Sequence, residues 1–430
     1  MKISTVNTTL PVNKTLTTLL FFYAISIMFT YPYGIPVVGD SYIRIPDLFA
    51  LLIGGFAIIV CSLFSKTKFK LKPLLPIAPF FLLEVILPVL GAFSYGSLSD
   101  SLSGVRVMLL YLPVGVCCLF FNLDSSLKLD IKIDKLLKIA VIANLLYGIV
   151  QLGVYLGLFP QSFLISSSLE SFIADEHFNE VLGLRIAGFF TNTTALSVFG
   201  IVAMSYFLSK YKAYEKIGYL LYSMSALMLV FLSTSRAAYV SALIIVVYNI
   251  FSSKLSKSIK TIVILTVAIL LLLFILSFYF QINYEDFFYR FIRIREEGLS
   301  NDYSWQTRVE GIWPRVINAM HKYPMGTLIP PYKIFGFIDS GYLSYYAQGN
   351  YFFIASLIWF YIASFLYILK AKQTKRSWSV NFVFCLLIYI IPAMVVSNSM
   401  RSPTVIFALI YGLWFVSVEK KLAANPYNTK

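Results

Sequence analysis

Hydrophobic residues in this chain occur in long runs that are separated by shorter polar segments. A run of about 20 apolar residues can cross the hydrocarbon core of a bilayer as one helix. The candidate runs begin near Leu16, Asp47, Leu74, Gly104, Leu136, Thr191, Ile217, Ala237, Thr261, Asn350, Val380 and Thr404. The pattern predicts an all-α polytopic membrane protein of about 12 transmembrane helices, with residues 1–430 forming a single integral membrane domain.

Two connections between these runs are much longer than the others, namely residues 160–188 and residues 282–349. Long loops in compact proteins are usually functional. Within the second loop, Asp286–Glu297 separates apolar from charged residues on a helical wheel, which is typical of a helix lying in the headgroup layer. Ser304–Tyr323 has the helical period again, with a kink or restart at Pro314. We therefore predict two long loops on one face, carrying short interfacial helices.

Composition and charge give these helices an orientation. The chain is 59% hydrophobic and only 13% charged, which is unusual for a soluble domain. Of its 24 lysines, all but Lys322 and Lys333 fall in connections on one face, whereas all but Arg376 of its 11 arginines fall on the other. Lysine-rich connections favour the cytoplasmic side. Both termini are then cytoplasmic, and the net charge of +15 reflects topology rather than nucleic-acid binding.

The arginines of the outer face suggest an anion-binding site. A guanidinium group binds phosphate or carboxylate through two parallel hydrogen bonds, a geometry that lysine does not offer. Passive anchoring at lipid headgroups is the alternative for Arg44, Arg106 and Arg401. For Arg290, Arg293 and Arg295, an interfacial helix is a sufficient explanation. The four cysteines fall inside hydrophobic runs, and no outward Asp-x-Asp pair is present. We therefore predict neither a metal site nor a cofactor.

One acidic residue, Glu84, falls in the middle of an apolar run. An ionisable residue in that position is expected to be functional or paired. Arg106 is its nearest candidate partner in the sequence. A neutral, hydrogen-bonded Glu84 is an equally good alternative.

Several short motifs follow one another in the outer segments. They are Arg185-Ile-Ala-Gly188-Phe-Phe-Thr-Asn192, Ser233-Thr-Ser235-Arg236, Arg308 with Trp313, Pro324 and Gly326, and Asp339-Ser-Gly-Tyr-Leu before Gly349. In this order they resemble the O-antigen ligase and polymerase superfamily. Arg315, followed by ten residues and then Gly326, also resembles a spacing in the large outer loop of Wzy-type O-antigen polymerases. In the pattern typical of the ligase branch, a histidine stands where this chain has Asp339. Asp339 therefore favours the polymerase.

The resemblance implies a membrane-embedded glycosyltransferase of the C-type architecture in a bacterial inner membrane. As an O-antigen polymerase in lipopolysaccharide biosynthesis, it would join undecaprenyl-pyrophosphate-linked oligosaccharide repeat units into polysaccharide at the periplasmic face. A polysaccharide chain-length regulator is the implied partner. An O-antigen ligase that transfers the glycan to lipid A-core is the main alternative. A lipid-linked oligosaccharide flippase is a weaker one, because the chain shows no paired halves and little mid-membrane charge.

The resemblance also assigns roles to residues. Negative charge builds up on the pyrophosphate as it leaves, so donors aimed at it stabilise the transition state. The expected catalytic residues are Arg185, Arg236, Arg308 and Asp339. The arginines would clamp the pyrophosphate, while Asp339 is the first candidate for the base that accepts the proton of the acceptor hydroxyl. Glu310 and Asp302 are alternative bases, and bracing of the loop is an alternative role for Asp339.

A second group of residues is expected to bind the substrate. It comprises Arg315, Asn192, Trp305, Trp313 and Tyr342. Flat aromatic side chains suit the apolar faces of sugars, while their polar atoms can meet hydroxyl groups. An interfacial aromatic belt is the alternative for the tyrosines.

Overall fold

A computed structural model describes residues 9–29, 34–38, 41–63, 72–95, 109, 111, 113, 115, 123–164, 186–190, 192–252, 298, 303–371 and 377–424. Its helices are α1 (Thr9–Phe29), α2 (Ile45–Leu63), α3 (Ala78–Tyr95), α4 (Leu123–Tyr155), α5 (Thr193–Tyr214), α6 (Ile217–Leu232), α7 (Arg236–Phe251), α8 (Tyr303–Gln306), α9 (Trp313–Ala319), α10 (Tyr332–Phe335), α11 (Gly341–Ala371), α12 (Trp378–Val396) and α13 (Pro403–Ala424). A π-helical turn, Thr307–Ile312, joins α8 to α9. Two short antiparallel strands, β1 (Gly34–Val38) and β2 (Ser41–Arg44), precede α2.

The described helices agree with most of the apolar runs. Among the described residues, four helical segments are long and apolar enough to cross a membrane: Ser125–Tyr155, Thr193–Tyr214, Gly341–Ala371 and Trp378–Val396. Shorter apolar helices match the runs near Leu16, Asp47, Leu74, Ile217 and Ala237. The chain is thus a helical protein with membrane-spanning character. The helices predicted near Gly104 and Thr261, like the interfacial helix 286–297, fall mainly or wholly outside the described residues.

Polar caps mark where two of the apolar helices begin. The side chain of Asn192 accepts a hydrogen bond from the Ala195 backbone N–H at 2.8 Å at the start of α5. At the start of α12, the Ser377 hydroxyl accepts from the Val380 N–H at 3.2 Å. These contacts satisfy backbone donors that the first turn of a helix leaves without a partner. The caps therefore fix the ends of both helices.

Two helices begin earlier than the apolar runs predict. Helix α4 starts at Leu123 rather than near Leu136. Its first turns carry charged residues, so a search for apolar runs does not include them. Helix α11 starts at Gly341 rather than near Asn350. It has non-helical backbone angles at Gly349 and Asn350, so the predicted start corresponds to an internal break. The second long loop, predicted as residues 282–349, therefore has its last nine residues within α11.

Helix α5 lies at the centre of the bundle and α11 at its surface. In the most apolar stretch of each helix, 89% of the residues are buried in α5 but only 33% in α11. Helix α5 packs against α4, α6, α7, α12 and α13. The exposed positions of α11 carry large apolar side chains, which suit contact with lipid. They include Tyr351, Phe352, Ile358, Trp359 and Ile362.

Helix ends that were predicted to share a face meet in the fold. At one end, Lys210 of α5 contacts Asp130 of α4, with 2.6 Å between Nζ and Oδ2. We call this end, formed by the first turns of α4 and α12 and the last turns of α5 and α13, the lysine side. We call the opposite end the arginine side. It consists of the starts of α5, α7, α11 and α13, the ends of α6 and α12, and residues 303–340.

A small second core supports the arginine side. It is formed by buried apolar residues of α9, α10, the start of α11 and the segments between them: Val316, Met320, Phe335, Ile338, Leu343 and Ala347. Since apolar burial stabilises roughly in proportion to area, this cluster packs residues 312–347 into an ordered unit. This segment of the arginine side is therefore ordered and can hold polar side chains in fixed positions.

Candidate functional site

Two buried amides of α4 hold the turn that follows the first predicted long loop. The Gln151 side-chain oxygen accepts from the N–H groups of Ala187 and Gly188, while its nitrogen donates to the Gly188 carbonyl at 2.9 Å. The Asn144 oxygen accepts from the Phe189 N–H at 2.9 Å. Gly188 has a φ of +58°, and an added Cβ would collide with the Asn144 side chain. The turn after Arg185 is therefore fixed by its backbone, although Arg185 itself lies outside the described residues.

This turn is hydrogen-bonded to the end of α6, four residues before Arg236, which begins α7. The Ile186 N–H donates to the Leu232 carbonyl at 3.1 Å. Between Leu232 and Arg236, Thr234 has a φ of 51°. A β-branched residue rarely adopts this left-handed conformation, and such strain is often found at functional sites. The structure therefore joins the first two predicted motifs through their backbones.

Arg308 and Asp339 form an ion pair. The Arg308 Nε donates to the Asp339 Oδ2, and the two side chains are 18% and 11% exposed. Arg308 comes from the π-helical turn, whereas Asp339 lies just before α11. The other carboxylate oxygen, Asp339 Oδ1, is buried and has no hydrogen-bond partner among the described residues. One oxygen of Asp339 is thus held by an arginine, while the other is able to accept a further hydrogen bond.

Arg315 binds the same returning segment as Arg308. Its guanidinium donates to the Phe335 carbonyl at 2.6 Å, four residues before Asp339. Arg308 lies on the π-helical turn and Arg315 on α9, which begins where that turn ends, so the two arginines do not share one regular α-helix. The arginines converge on residues 335–339 all the same. In this conformation both brace the loop, which supports the structural alternative for Asp339 as well as the catalytic one.

The predicted sugar-binding residues lie on different elements. Trp305 and Trp313 pack edge to face with ring centroids 5.8 Å apart, and the buried Trp313 Nε1 has no hydrogen-bond partner among the described residues. The Tyr342 hydroxyl donates to the Ile391 carbonyl at 3.0 Å and lies 3.2 Å from the Tyr361 hydroxyl. The oxygen of Asn192 is used as a helix cap. The tryptophan pair is therefore the better candidate for contact with a sugar.

The break in α11 is covered by the Pro and Gly rich loop. The carbonyls of Ala347 and Gln348 accept the N–H groups of Thr327 at 2.8 Å and Leu328 at 2.9 Å. Gly326, with a φ of +85°, lies so close that an added Cβ would collide with the Gln348 carbonyl. The loop thus satisfies backbone acceptors that a helix break leaves without partners. This close approach gives Gly326 a structural role within its motif.

The sequence drew attention to Glu84, and the structure gives it a partner from the last helix connection. Glu84 is 0% exposed, and its Oε1 lies 3.7 Å from the Nε of Arg401. The guanidinium of Arg401 also donates to the Gln348 side-chain oxygen and lies 5.1 Å from the centre of the Tyr345 ring. Arg106, the predicted partner, lies outside the described residues. Arg401 is thus part of a buried polar cluster and not only a headgroup anchor.

Glu310 is exposed on the π-helical turn, whereas Asp302 lies outside the described residues. In the part of the chain that the structure describes, no three His, Cys, Asp or Glu side chains come together as a metal site. No protein-family model matches the chain, and no curated protein matches it at a significant level.

Proposed function

We propose that this protein is an O-antigen polymerase that joins undecaprenyl-pyrophosphate-linked repeat units at the periplasmic face of the inner membrane. The observation that carries the proposal is the partly buried Arg308–Asp339 pair, in which Asp339 Oδ1 keeps an open position for a hydrogen bond. The proposal includes about 12 transmembrane helices, two long periplasmic loops and cytoplasmic termini. It also includes a chain-length regulator as partner.

In the proposed reaction, a hydroxyl of the acceptor sugar attacks the anomeric carbon of the donor. A new glycosidic bond forms while the bond between that carbon and the pyrophosphate oxygen breaks. The proton of the hydroxyl passes to Asp339, whose Oδ1 has no other partner among the described residues. The electron pair leaves with undecaprenyl pyrophosphate. Pre-positioned donors at that oxygen stabilise the transition state more than the ground state.

The arginines supply these donors from two motifs. Arg308 stands beside Asp339, so one residue can orient the base and face the leaving group. Arg236 begins α7, and Ile186, which follows Arg185 in the sequence, is bonded to the turn before it. Arg315 braces the segment that carries Asp339. This arrangement supports a clamp built from Arg185, Arg236 and Arg308.

The membrane-facing surface suits the carrier. A polyprenyl tail needs an apolar path within the bilayer that reaches the polar site. Tyr351 and Phe352 are 73% and 59% exposed, and they follow directly after the break in α11. Aromatic side chains at this depth are typical of membrane interfaces. An isoprenoid chain can therefore lie along α11 while its pyrophosphate faces the arginine side.

The first test compares surface lipopolysaccharide from a strain that lacks this gene with that of the complemented strain. A polymerase predicts loss of the ladder with retention of core carrying a single repeat unit. Bare core would instead point to a ligase or a flippase, and accumulation of carrier-linked polymer would then select the ligase. An unchanged ladder would contradict all three functions.

A further inference from the structure

The polar cluster below the proposed site consists of Glu84, Tyr345, Gln348 and Arg401. Both oxygens of Glu84, the Gln348 Nε2 and the Arg401 Nε are buried and lack hydrogen-bond partners among the described residues. Burying such groups costs free energy. A buried ion pair is also seldom more stabilising than a well-packed apolar replacement. Stability alone therefore gives little reason to place this cluster here.

The position of the cluster provides a reason. Arg401 donates to the side chain of Gln348, the last residue before the non-helical Gly349 and Asn350. The Gln348 carbonyl accepts from Leu328, and the side chain of Asn350 donates to the Pro324 carbonyl at 2.8 Å. The ion pair thus contacts the break through the side chain of Gln348, and the covering loop contacts it through the loop's backbone groups.

The break ends a short helical segment, residues 341–348, whose other end lies beside Asp339. There the Ser340 hydroxyl donates to the Met394 carbonyl at 3.4 Å. Gly341 packs so closely on α12 that an added Cβ would collide with Met394. The segment spans only about 12 Å at the rise of an α-helix. It is therefore held at Gln348 by the cluster and at Ser340 and Gly341 by α12.

We propose that Glu84 and Arg401 are positioning residues: through Gln348 they fix residues 341–348 and so set the place of Asp339. This inference rests on the proposed function. Glu84 holds Arg401 from below and Gln348 receives its hydrogen bond, so a change at Gln348 loosens the segment without breaking the ion pair.

The first variant to test is Gln348→Met, which keeps the volume and the ion pair but removes the acceptor for Arg401. We expect turnover of the lipid-linked donor to fall about tenfold with its KM unchanged, and the melting temperature to fall because the buried Arg401 donor loses its acceptor. The matched control is Asn249→Leu. It removes a buried amide that donates to the Ile245 carbonyl at 2.9 Å and accepts from Asn381 at 3.0 Å, and we expect it to lower the melting temperature but not the turnover of the folded protein. Wild-type turnover in Gln348→Met would overturn the inference.

The second test uses Glu84→Gln, Arg401→Gln and the two changes combined. Each single change leaves one buried charge without its partner, so the amount of folded protein should fall. The double change removes both charges and should restore the folded amount. A positioning role predicts that turnover in the double variant stays about tenfold low, whereas a purely structural pair predicts that turnover returns with folding.

Both tests use purified full-length protein in lipid nanodiscs, supplied with lipid-linked repeat units extracted from the strain that lacks the gene. If the wild-type protein forms no polymer from them, the proposed function fails and this inference fails with it. If the wild-type protein is active and the double variant is equally active, the inference alone fails.

Discussion

The lysine side and the arginine side of this protein differ in how well their buried polar groups are hydrogen-bonded. On the lysine side, Asp130 accepts hydrogen bonds from Lys210 at 2.6 Å, Tyr411 at 2.8 Å and Tyr206 at 3.2 Å. The Lys210 ammonium also lies 4.0 Å from the centre of the Trp378 ring, a cation–π contact. This network joins four helices, and each charge in it has a partner.

The arginine side holds most of the buried polar atoms that lack a hydrogen-bond partner among the described residues. They include atoms of Thr234, Trp313, Asp339, Gln348, Asn350, Asn398, Ser399 and Arg401. The strained backbone is concentrated there as well. In the described chain, three of the four non-glycine residues with positive φ are Thr234, Leu328 and Asn350. The lysine side has the features of a structural anchor, whereas the arginine side has those of a binding site.

The largest effect should follow from Arg308→Ala, because it removes both the partner of Asp339 and a proposed pyrophosphate donor. We expect polymer synthesis per folded protein to fall on the order of 1,000-fold. Arg308→Lys keeps the charge but not the fork, so recovery should be incomplete. The measurement is polymer formed in membranes from the complemented strain. Arg44→Ala is the control, since it removes an outer arginine assigned no role; wild-type synthesis in Arg308→Lys would contradict the two-pronged clamp.

A change on the lysine side should give the opposite profile. Asp130→Asn leaves the ammonium of Lys210 buried without its counter-charge, and Lys210 is only 2% exposed. We expect a loss of about 3 kcal/mol in resistance to SDS-induced unfolding, with normal turnover of the protein that remains folded. Asp130→Asn combined with Lys210→Met should recover part of the loss. Reduced turnover at full stability would show that the lysine side is more than an anchor.

Asp339→Asn tests whether the arginine side performs chemistry. Asparagine keeps the shape and an acceptor for Arg308 but cannot take up the proton. Removal of a general base typically slows transfer about a hundredfold or more, so we expect that loss in kcat with little change in KM for the lipid-linked donor. Unchanged turnover would leave Asp339 only its role of bracing the loop.

Gly326→Ala should have the smallest effect, and a matched control lies nearby. Gly326 and Gly336 both have positive φ, at 85° and 73°, yet only at Gly326 would a Cβ meet backbone atoms. Gly336→Ala should cost about 1 kcal/mol from backbone strain alone. Gly326→Ala should cost more and also lower polymer synthesis, because the loop is pushed away from the break in α11. Thermal unfolding of the two variants gives the comparison; equal losses would mean that the close approach is unimportant.

The sequence predicted the helices better than it predicted where they begin. The apolar runs located α5, α12 and α13 within a few residues, since each begins where apolar residues begin. They missed the first turns of α4, where the charge of Asp130 is neutralised by Lys210 of α5. They also missed the first turns of α11, because the break at Gly349 separates residues 341–348 from the long apolar run that follows. In both cases the pattern of apolar residues alone does not show where the helix begins.

For the candidate site, too, the sequence indicated some residues and missed the contacts of others. The motifs brought Arg308, Arg315 and Asp339 into consideration, and the structure places all three on one returning loop. Glu84 stood out as a charge inside an apolar run. Its partner could not be found from the sequence, because Arg401 is more than 300 residues away and reaches Glu84 only when α3, α11 and α13 are packed together.

The two ion pairs also differ in when they can form during synthesis. Asp130 and Lys210 belong to α4 and α5, so their pair is complete long before α12 and α13 leave the ribosome. Glu84 is made early, but Arg401 precedes only the last described helix. Since chains are made and inserted from the amino terminus, Glu84 enters the bilayer before its partner Arg401 has been made. A ribosome that stops before Arg401 would thus leave the Asp130–Lys210 pair formed and Glu84 without its partner.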